Sequence, residues 1–181
     1  MLLNLLLALS SPVDAAVVAG ATLPDNVQVA GQTVLLNGAG LREFAWIDLY
    51  VGALYLPRPM TDGTAIIKAD VPKRLVLHFV FKEVPKNRLG ETFTERIEDD
   101  PKLQAIEPEI MRMVSLFETM HDGDEMILDY VPGKGVVLIV KGKEKGVFPG
   151  LPFMHATFDF FLGADPIHGG LKTAMLQGGV K

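Results

Sequence analysis

Arg42, Trp46 and Tyr50 stand four residues apart around a stretch, 44–56, in which apolar side chains alternate, and they are the residues of this chain best suited to hold an anion. If that stretch is one regular strand, side chains two apart share a face, so a guanidinium, an indole and a phenol line a single wall. A guanidinium beside a phenol suits a carboxylate or an enolate oxygen, because it offers donors in a fixed fork and a charge that persists at any working pH. The plainer alternative is that Arg42 pairs with Glu43 or Asp48 at a strand end, and residue types alone leave both readings open.

Other chemistries find less support. The serines are Ser10, Ser11 and Ser115, and none sits in a G-x-S-x-G turn. His78, His121, His155 and His168 are far apart in sequence and form no metal-binding spacing, and there is no cysteine, so neither a thiolate site nor a disulfide is expected. Gly38 and Gly40 do not complete a dinucleotide fingerprint, since Glu43 takes the third glycine's place, and no phosphate loop is present. No cofactor is implied.

The elements that must position the candidate wall can be read from periodicity. Residues 27–29 and 33–36 read as short strands around Gly31, with a turn at 37–40, where two glycines offer backbone freedom. Residues 44–56 follow as one long strand and 74–82 as another, both apolar on each side and hence covered on both faces; 63–69 suits a short helix. From Pro85 the period lengthens: Leu89, Phe93 and Ile97 recur every four residues, and a second helical stretch runs over 101–120, kinked or divided by Pro108. Three strands at 125–130, 135–141 and 144–147 make a meander, and 152–162 and 170–177 return to helix. Strands and helices in blocks predict an α+β fold with a mostly antiparallel sheet.

Composition places the chain among ordinary globular proteins. It has 181 residues, 49% of them hydrophobic and 22% charged, enough for one buried core, and no repeat or low-complexity linker interrupts it. A formal charge of −5 argues against a nucleic-acid partner, and Lys134, Lys141, Lys143 and Lys145 read as a solvated hairpin edge. The methionines and phenylalanines of the helical stretches (Met111, Met113, Phe117, Met120, Phe153, Phe160, Phe161) read first as core and second as an adaptable apolar pocket. Residues 2–9 form a short apolar run followed by Ser10, Ser11, Pro12 and then Ala15 and Ala16, the pattern of a secretory signal peptide over 1–16, without the usual basic start. The run is about half a membrane span, so no stable anchor is expected, and secretion, to the periplasm in a Gram-negative bacterium, is.

The segment Gly38-Ala39-Gly40-Leu41-Arg42, followed by Val51-Gly52-Ala53-Leu54-Tyr55 and, much later, Phe161-Leu162-Gly163, resembles the chalcone isomerase-like family. The likeness extends over a single domain at about 22–178. It implies an open-faced β-sandwich, a mostly antiparallel sheet with helices packed on one face and a ligand cleft between them. The family includes plant isomerases, fatty-acid-binding members, and bacterial members whose role is unclear. Of the polar residues the isomerases use, only the arginine keeps its type, at Arg42; the others fall at Tyr50, Val80, Leu89, Arg96 and Phe160.

Cyclising a phenol onto an enone needs donors for the developing charge, and Val80, Leu89 and Phe160 cannot supply them. The resemblance therefore implies a non-catalytic binder of a small apolar acid, with Arg42 as anionic anchor, Tyr50 as its hydrogen-bond partner, and Trp46, Leu89 and the second cation Arg96 lining the site. An isomerase acting on an unknown enone through Arg42 and Tyr50, taking a phenolic ligand, is the alternative reading. A structural or interaction protein without a small ligand is the third.

Overall fold

The computed structural model describes residues 15–179, so the expected signal segment lies outside the described residues except for Ala15 and Ala16. A small hairpin, β1 (Ala15–Val18) and β2 (Ala21–Pro24), is followed by β3 (Asn26–Val29), β4 (Gln32–Phe44) and β5 (Ile47–Leu56). Helix α1 (Gly63–Lys68) leads to β6 (Lys73–Phe79) and the two-residue β7 (Glu83–Val84). Helices α2 (Lys86–Thr94), α3 (Pro101–Gln104) and α4 (Glu107–Ser115) come next, then β8 (Met120–His121), which pairs with β7. The meander β9 (Glu125–Val131), β10 (Gly135–Val140) and β11 (Lys143–Phe148) precedes α5 (Leu151–Leu162) and α6 (Gly169–Met175). Seven strands form one wholly antiparallel sheet in the order β11-β10-β9-β6-β5-β4-β3. This is the expected α+β arrangement.

Alternation along the central strands explains why both faces are covered. Tyr50, Leu54 and Leu56 on β5, Leu75, Leu77 and Phe79 on β6, and Met126, Leu128 and Tyr130 on β9 join one apolar cluster with residues of the helices, among them Leu89, Phe93, Phe158, Phe160 and Met175, and with Phe117 just after α4. Val51, Ala53 and Tyr55 on β5 and Val76 on β6 turn the other way and pack with Ala21, Leu23, Val29, Val34 and Leu36. Thus α helices close one face, and β1 and β2 cap part of the other. Within the helical layer Phe93 meets Phe160 at a ring distance of 4.9 Å and Phe117 at 5.4 Å, a cluster in which truncating one ring to alanine costs about 3–5 kcal/mol.

Three elements depart from the periodicity reading. Residues 37–40 form no turn: β4 runs straight through them, with Asn37 as a bulge between the pairs Leu36↔Tyr55 and Gly38↔Leu54. The extra residue inverts the alternation, so Leu36 belongs to the hairpin-side cluster while Gly38 sits opposite Leu54 of the helix-side one. Asn37 is buried and spends its amide on the chain around it: Nδ2 donates to the carbonyls of Met60 and Met175, both at 2.8 Å, and Oδ1 accepts from the Met60 amide at 2.8 Å.

The glycines here answer to packing, not to positive φ. A β-carbon at Gly38 would lie 2.2 Å from the Ala174 carbonyl oxygen, one at Gly40 2.4 Å from the Ala174 β-carbon, and one at Gly52 2.6 Å from the Met175 methyl. Gly40 and Gly52 are directly paired across β4 and β5, so α6 rests on a bare strip of sheet. His168 caps this helix by accepting from the Leu171 amide through Nδ1 at 3.1 Å.

The second departure is that residues 44–56 are not one strand. The chain reverses at Ala45 and Trp46, with Phe44 paired to Ile47 and Ala45 at φ 56°. Apolar residues on both sides of a tight turn mimic a continuous strand, which hid the reversal. Third, the helical stretch expected over 101–120 stops at Ser115; it is divided, as expected from Pro108, into the short helices α3 and α4, with Pro108 in the first turn of α4, where its missing amide hydrogen is harmless.

Candidate functional site

Because β4 and β5 form a hairpin, Arg42 and Tyr50 are partners across two strands and not successive residues on one. The bulge at Asn37 puts Arg42 on the same face as Gly38 and Gly40, and its partner Tyr50 belongs to the helix-side cluster. The Arg42 guanidinium donates through Nη1 to the Tyr50 hydroxyl at 3.4 Å, with its central carbon 5.7 Å from the ring centroid. Arg42 Nε is buried and has no hydrogen-bond partner, and among the described residues Arg42 forms no ion pair with Glu43, Asp48 or any other carboxylate. A buried donor left open next to a phenol is able to take an anionic oxygen without first breaking a bond in the protein.

Tyr50 is fully enclosed and packs on Phe79 with ring centroids 5.5 Å apart. Burial pushes its pKa up to about 12, and the nearby Arg42 charge opposes that rise only in part. The phenol therefore stays protonated at neutral pH and serves as a donor. It is no general base under those conditions.

The other expected site residues take different places. Trp46, expected on the same wall as Arg42 and Tyr50, is instead in the turn and 93% exposed. Leu89 is buried on α2 in the helix-side cluster that also contains Tyr50. Arg96 follows the end of α2 and is engaged elsewhere: Nη2 donates to the Asp165 carboxylate at 2.8 Å and to the Asp165 carbonyl, while the guanidinium lies 5.3 Å from the centre of the Phe160 ring. It fastens the turn after α2 to the loop between α5 and α6. Val80 packs against the hairpin-side cluster and so faces away from the helices, whereas its neighbour Phe79 is buried in the helix-side cluster.

Sequence reasoning missed Lys73, which is fully buried on β6. Its ammonium closes the C-terminal end of α1, donating to the carbonyls of Ile66 (2.7 Å), Ala69 (2.8 Å) and Ile67 (3.4 Å), and lies 4.7 Å from the centre of the Phe158 ring. Burial lowers its pKa to about 8, against the opposing pull of Asp70. A lysine at the first position of a strand reads as solvent-exposed, so nothing local announced it. Two open grooves, of about 710 and 430 Å³, run along α2 and α4 and are lined by Thr94, Glu95, Glu98, Glu107, Val114 and Met111. Neither includes Arg42 or Tyr50.

An antiparallel sheet closed by helices on one face, with an arginine and a tyrosine paired beneath them, defines the class. The sequence pattern of the chalcone isomerase-like family matches residues 15–177, and the chain belongs to that family. Among solved structures, the crystal structure of a fatty-acid binding protein from Arabidopsis thaliana superposes with a TM-score of 0.71, covering 91% of this chain and 96% of that one at 14% identity. That likeness establishes the fold. No curated protein matches this sequence.

Proposed function

We propose that this protein binds a small apolar acid, such as a fatty acid, with the carboxylate at Arg42 and Tyr50 and the hydrocarbon part among the apolar side chains between sheet and helices. The observation that carries this is the buried Arg42 Nε without a partner, beside a buried phenol that remains protonated. A carboxylate presents two acceptor oxygens, which matches the guanidinium fork, and the phenol adds a third donor. The name of the Arabidopsis relative, a fatty-acid binding protein, supports the same ligand class. Catalysis is disfavoured by the apolar Leu89, Phe79 and Phe160 of the same cluster, which offer no group to take or give a proton.

Native mass spectrometry of protein purified without detergent, with Arg42→Ala alongside, tests this. A fatty acid bound to the wild type and lost from the variant is the expected result. A wild type that is empty and ignores added fatty acids overturns it, and turnover of an enone that Arg42→Ala abolishes would establish the isomerase reading instead.

The apolar run at 2–9 and the small residues after it support secretion, and a periplasmic location in a Gram-negative host is part of the same proposal. Ala15 and Ala16 pair with Pro24 and Leu23 in the small hairpin, so cleavage after Ala16 would leave Val17 and Val18 to hold β1. Intact mass of the exported protein measures where the cut falls.

A further inference from the structure

The β4–β5 hairpin ends in a tip that folding does not ask for. Phe44, Trp46 and Ile47 are 65%, 93% and 38% exposed, three large apolar side chains within four consecutive residues. Other exposed large hydrophobics, such as Val17, Leu35, Met111 and Leu151, are scattered singly over the molecule, which is ordinary for a protein surface. A two-residue hairpin turn with positive φ at its first central position favours asparagine or glycine. Here that position holds Ala45, at φ 56°, and the second holds Trp46. The turn thus accepts an unfavourable backbone residue and an exposed indole together, and neither helps the sheet.

The surroundings decide what the tip fits. Glu43 and Asp48, both exposed, face each other across the hairpin immediately behind the apolar residues. Arg42 and Tyr50 form the next regular pair inward, so the tip extends the same two strands that carry the proposed anion site. Aromatic side chains offer about 150–250 Å² each when wholly buried, so the exposed parts of Phe44 and Trp46, with the smaller exposed part of the aliphatic Ile47, together present roughly 400 Å². That is about half of what one partner contributes to a stable protein interface, about 800 Å². A convex tip of that size is poorly matched to another protein but sufficient for a fluid apolar phase, which moulds itself around whatever enters. Indole also prefers the boundary between hydrocarbon and headgroups. The two carboxylates behind the tip, on a chain of net charge −5, repel anionic lipid and match the ammonium groups of zwitterionic headgroups.

We propose that the Phe44-Ala45-Trp46-Ile47 tip docks the protein on the surface of a zwitterionic lipid bilayer, inserting Phe44, Trp46 and Ile47 at the headgroup boundary with Glu43 and Asp48 at the level of the ammonium groups. This is peripheral docking without a membrane span; among the described residues no helix is long and apolar enough to cross a bilayer. It orients β4 and β5 with the Arg42 end toward the membrane, and it does not depend on the anion site being occupied.

Trp46 is the sole tryptophan of the chain, so native fluorescence reports on the tip alone. Titration with phosphatidylcholine vesicles should shift its emission to shorter wavelength, and phosphatidylcholine brominated on its acyl chains should quench it. The double variant Phe44→Ser/Ile47→Ser keeps the reporter and changes only exposed positions, so its circular dichroism should match the wild type; its vesicle affinity in cosedimentation should fall roughly a hundredfold, as expected from removing two buried apolar side chains. Absence of shift and quenching with phosphatidylcholine, or vesicle affinity that survives the double variant, overturns the proposal. So does binding that appears only when anionic lipid is added, or an emission shift that tracks protein concentration without vesicles, which would place the tip between two copies of the chain.

Discussion

Gly40→Ala, alone and combined with Ala174→Gly, tests whether the glycine motif serves the packing of α6 on the sheet. The added β-carbon would stand 2.4 Å from the Ala174 β-carbon, whereas ordinary carbon contacts lie near 3.5–4.0 Å, so α6 must lift by more than 1 Å or tilt. Overpacking of this kind costs about 1–3 kcal/mol, and the gain from replacing a strand glycine offsets roughly 0.5–1 of it, leaving a net loss of about 1–2 kcal/mol. Ala174→Gly by itself should cost about 1 kcal/mol as a glycine inside a helix. In the double variant the clash disappears, so the two changes should be non-additive by about 1–2 kcal/mol in the favourable direction. Gly38→Ala is the internal control: its β-carbon would meet the Ala174 carbonyl oxygen at 2.2 Å, an atom that Ala174→Gly leaves in place, so no rescue is expected there. Urea unfolding should be followed by far-ultraviolet circular dichroism, because Trp46 is exposed in the folded protein and senses unfolding poorly. A neutral Gly40→Ala, or equal rescue of both glycine variants by Ala174→Gly, would refute the argument that side-chain contact at this strip dictates the motif.

Lys73→Met removes the donor that meets the Ile66, Ile67 and Ala69 carbonyls, and should lower stability at pH 7 by about 1–3 kcal/mol in urea titrations, the cost of leaving buried acceptors unmet. Its folded pKa of about 8 lies below the ordinary lysine value, so between pH 8 and about 10 the unfolded chain holds the proton more tightly and Lys73 makes stability rise with pH; Lys73→Met should abolish that component of the rise. Tyr50 works in the opposite sense: with its pKa raised from 10.0 to about 12, it favours the folded state below pH 10, and this contribution, about 2–3 kcal/mol at most, is lost as pH climbs to 12. Tyr50→Phe should therefore flatten the alkaline loss of stability, as well as weaken retention of a bound fatty acid in native mass spectrometry. Arg96→Ala should leave a copurifying fatty acid in place and cost about 1 kcal/mol or less, because its partner Asp165 is solvent-exposed; loss of ligand in that variant would return Arg96 to the site.

Much of the architecture is written in local pattern. The alternation along 74–82 and through the meander, and the four-residue recurrence of Leu89 and Phe93, correspond to β6, β9–β11 and α2, because each reports which side of an element faces apolar partners. Family membership was legible from Gly38-Ala39-Gly40-Leu41-Arg42 and the strand after it. Arg42 and Tyr50 could be named as a pair from their chemistry, and the structure brings them within hydrogen-bond reach. Tertiary structure alone decided how they meet. A turn at Ala45 and Trp46, lacking glycine or asparagine and flanked by apolar residues, carries no local signal of reversal, yet it makes Arg42 and Tyr50 cross-strand partners and moves Trp46 from an interior wall to the tip. The bulge at Asn37 is equally silent, since its amide is satisfied by Met60 and Met175, distant in sequence. The glycines at 38 and 40 looked like freedom of the backbone and are room for a helix more than a hundred residues away. Periodicity sees neighbours along the chain; a one-residue bulge, a close helix approach and a buried lysine at the end of a helix depend on atoms that only folding brings near.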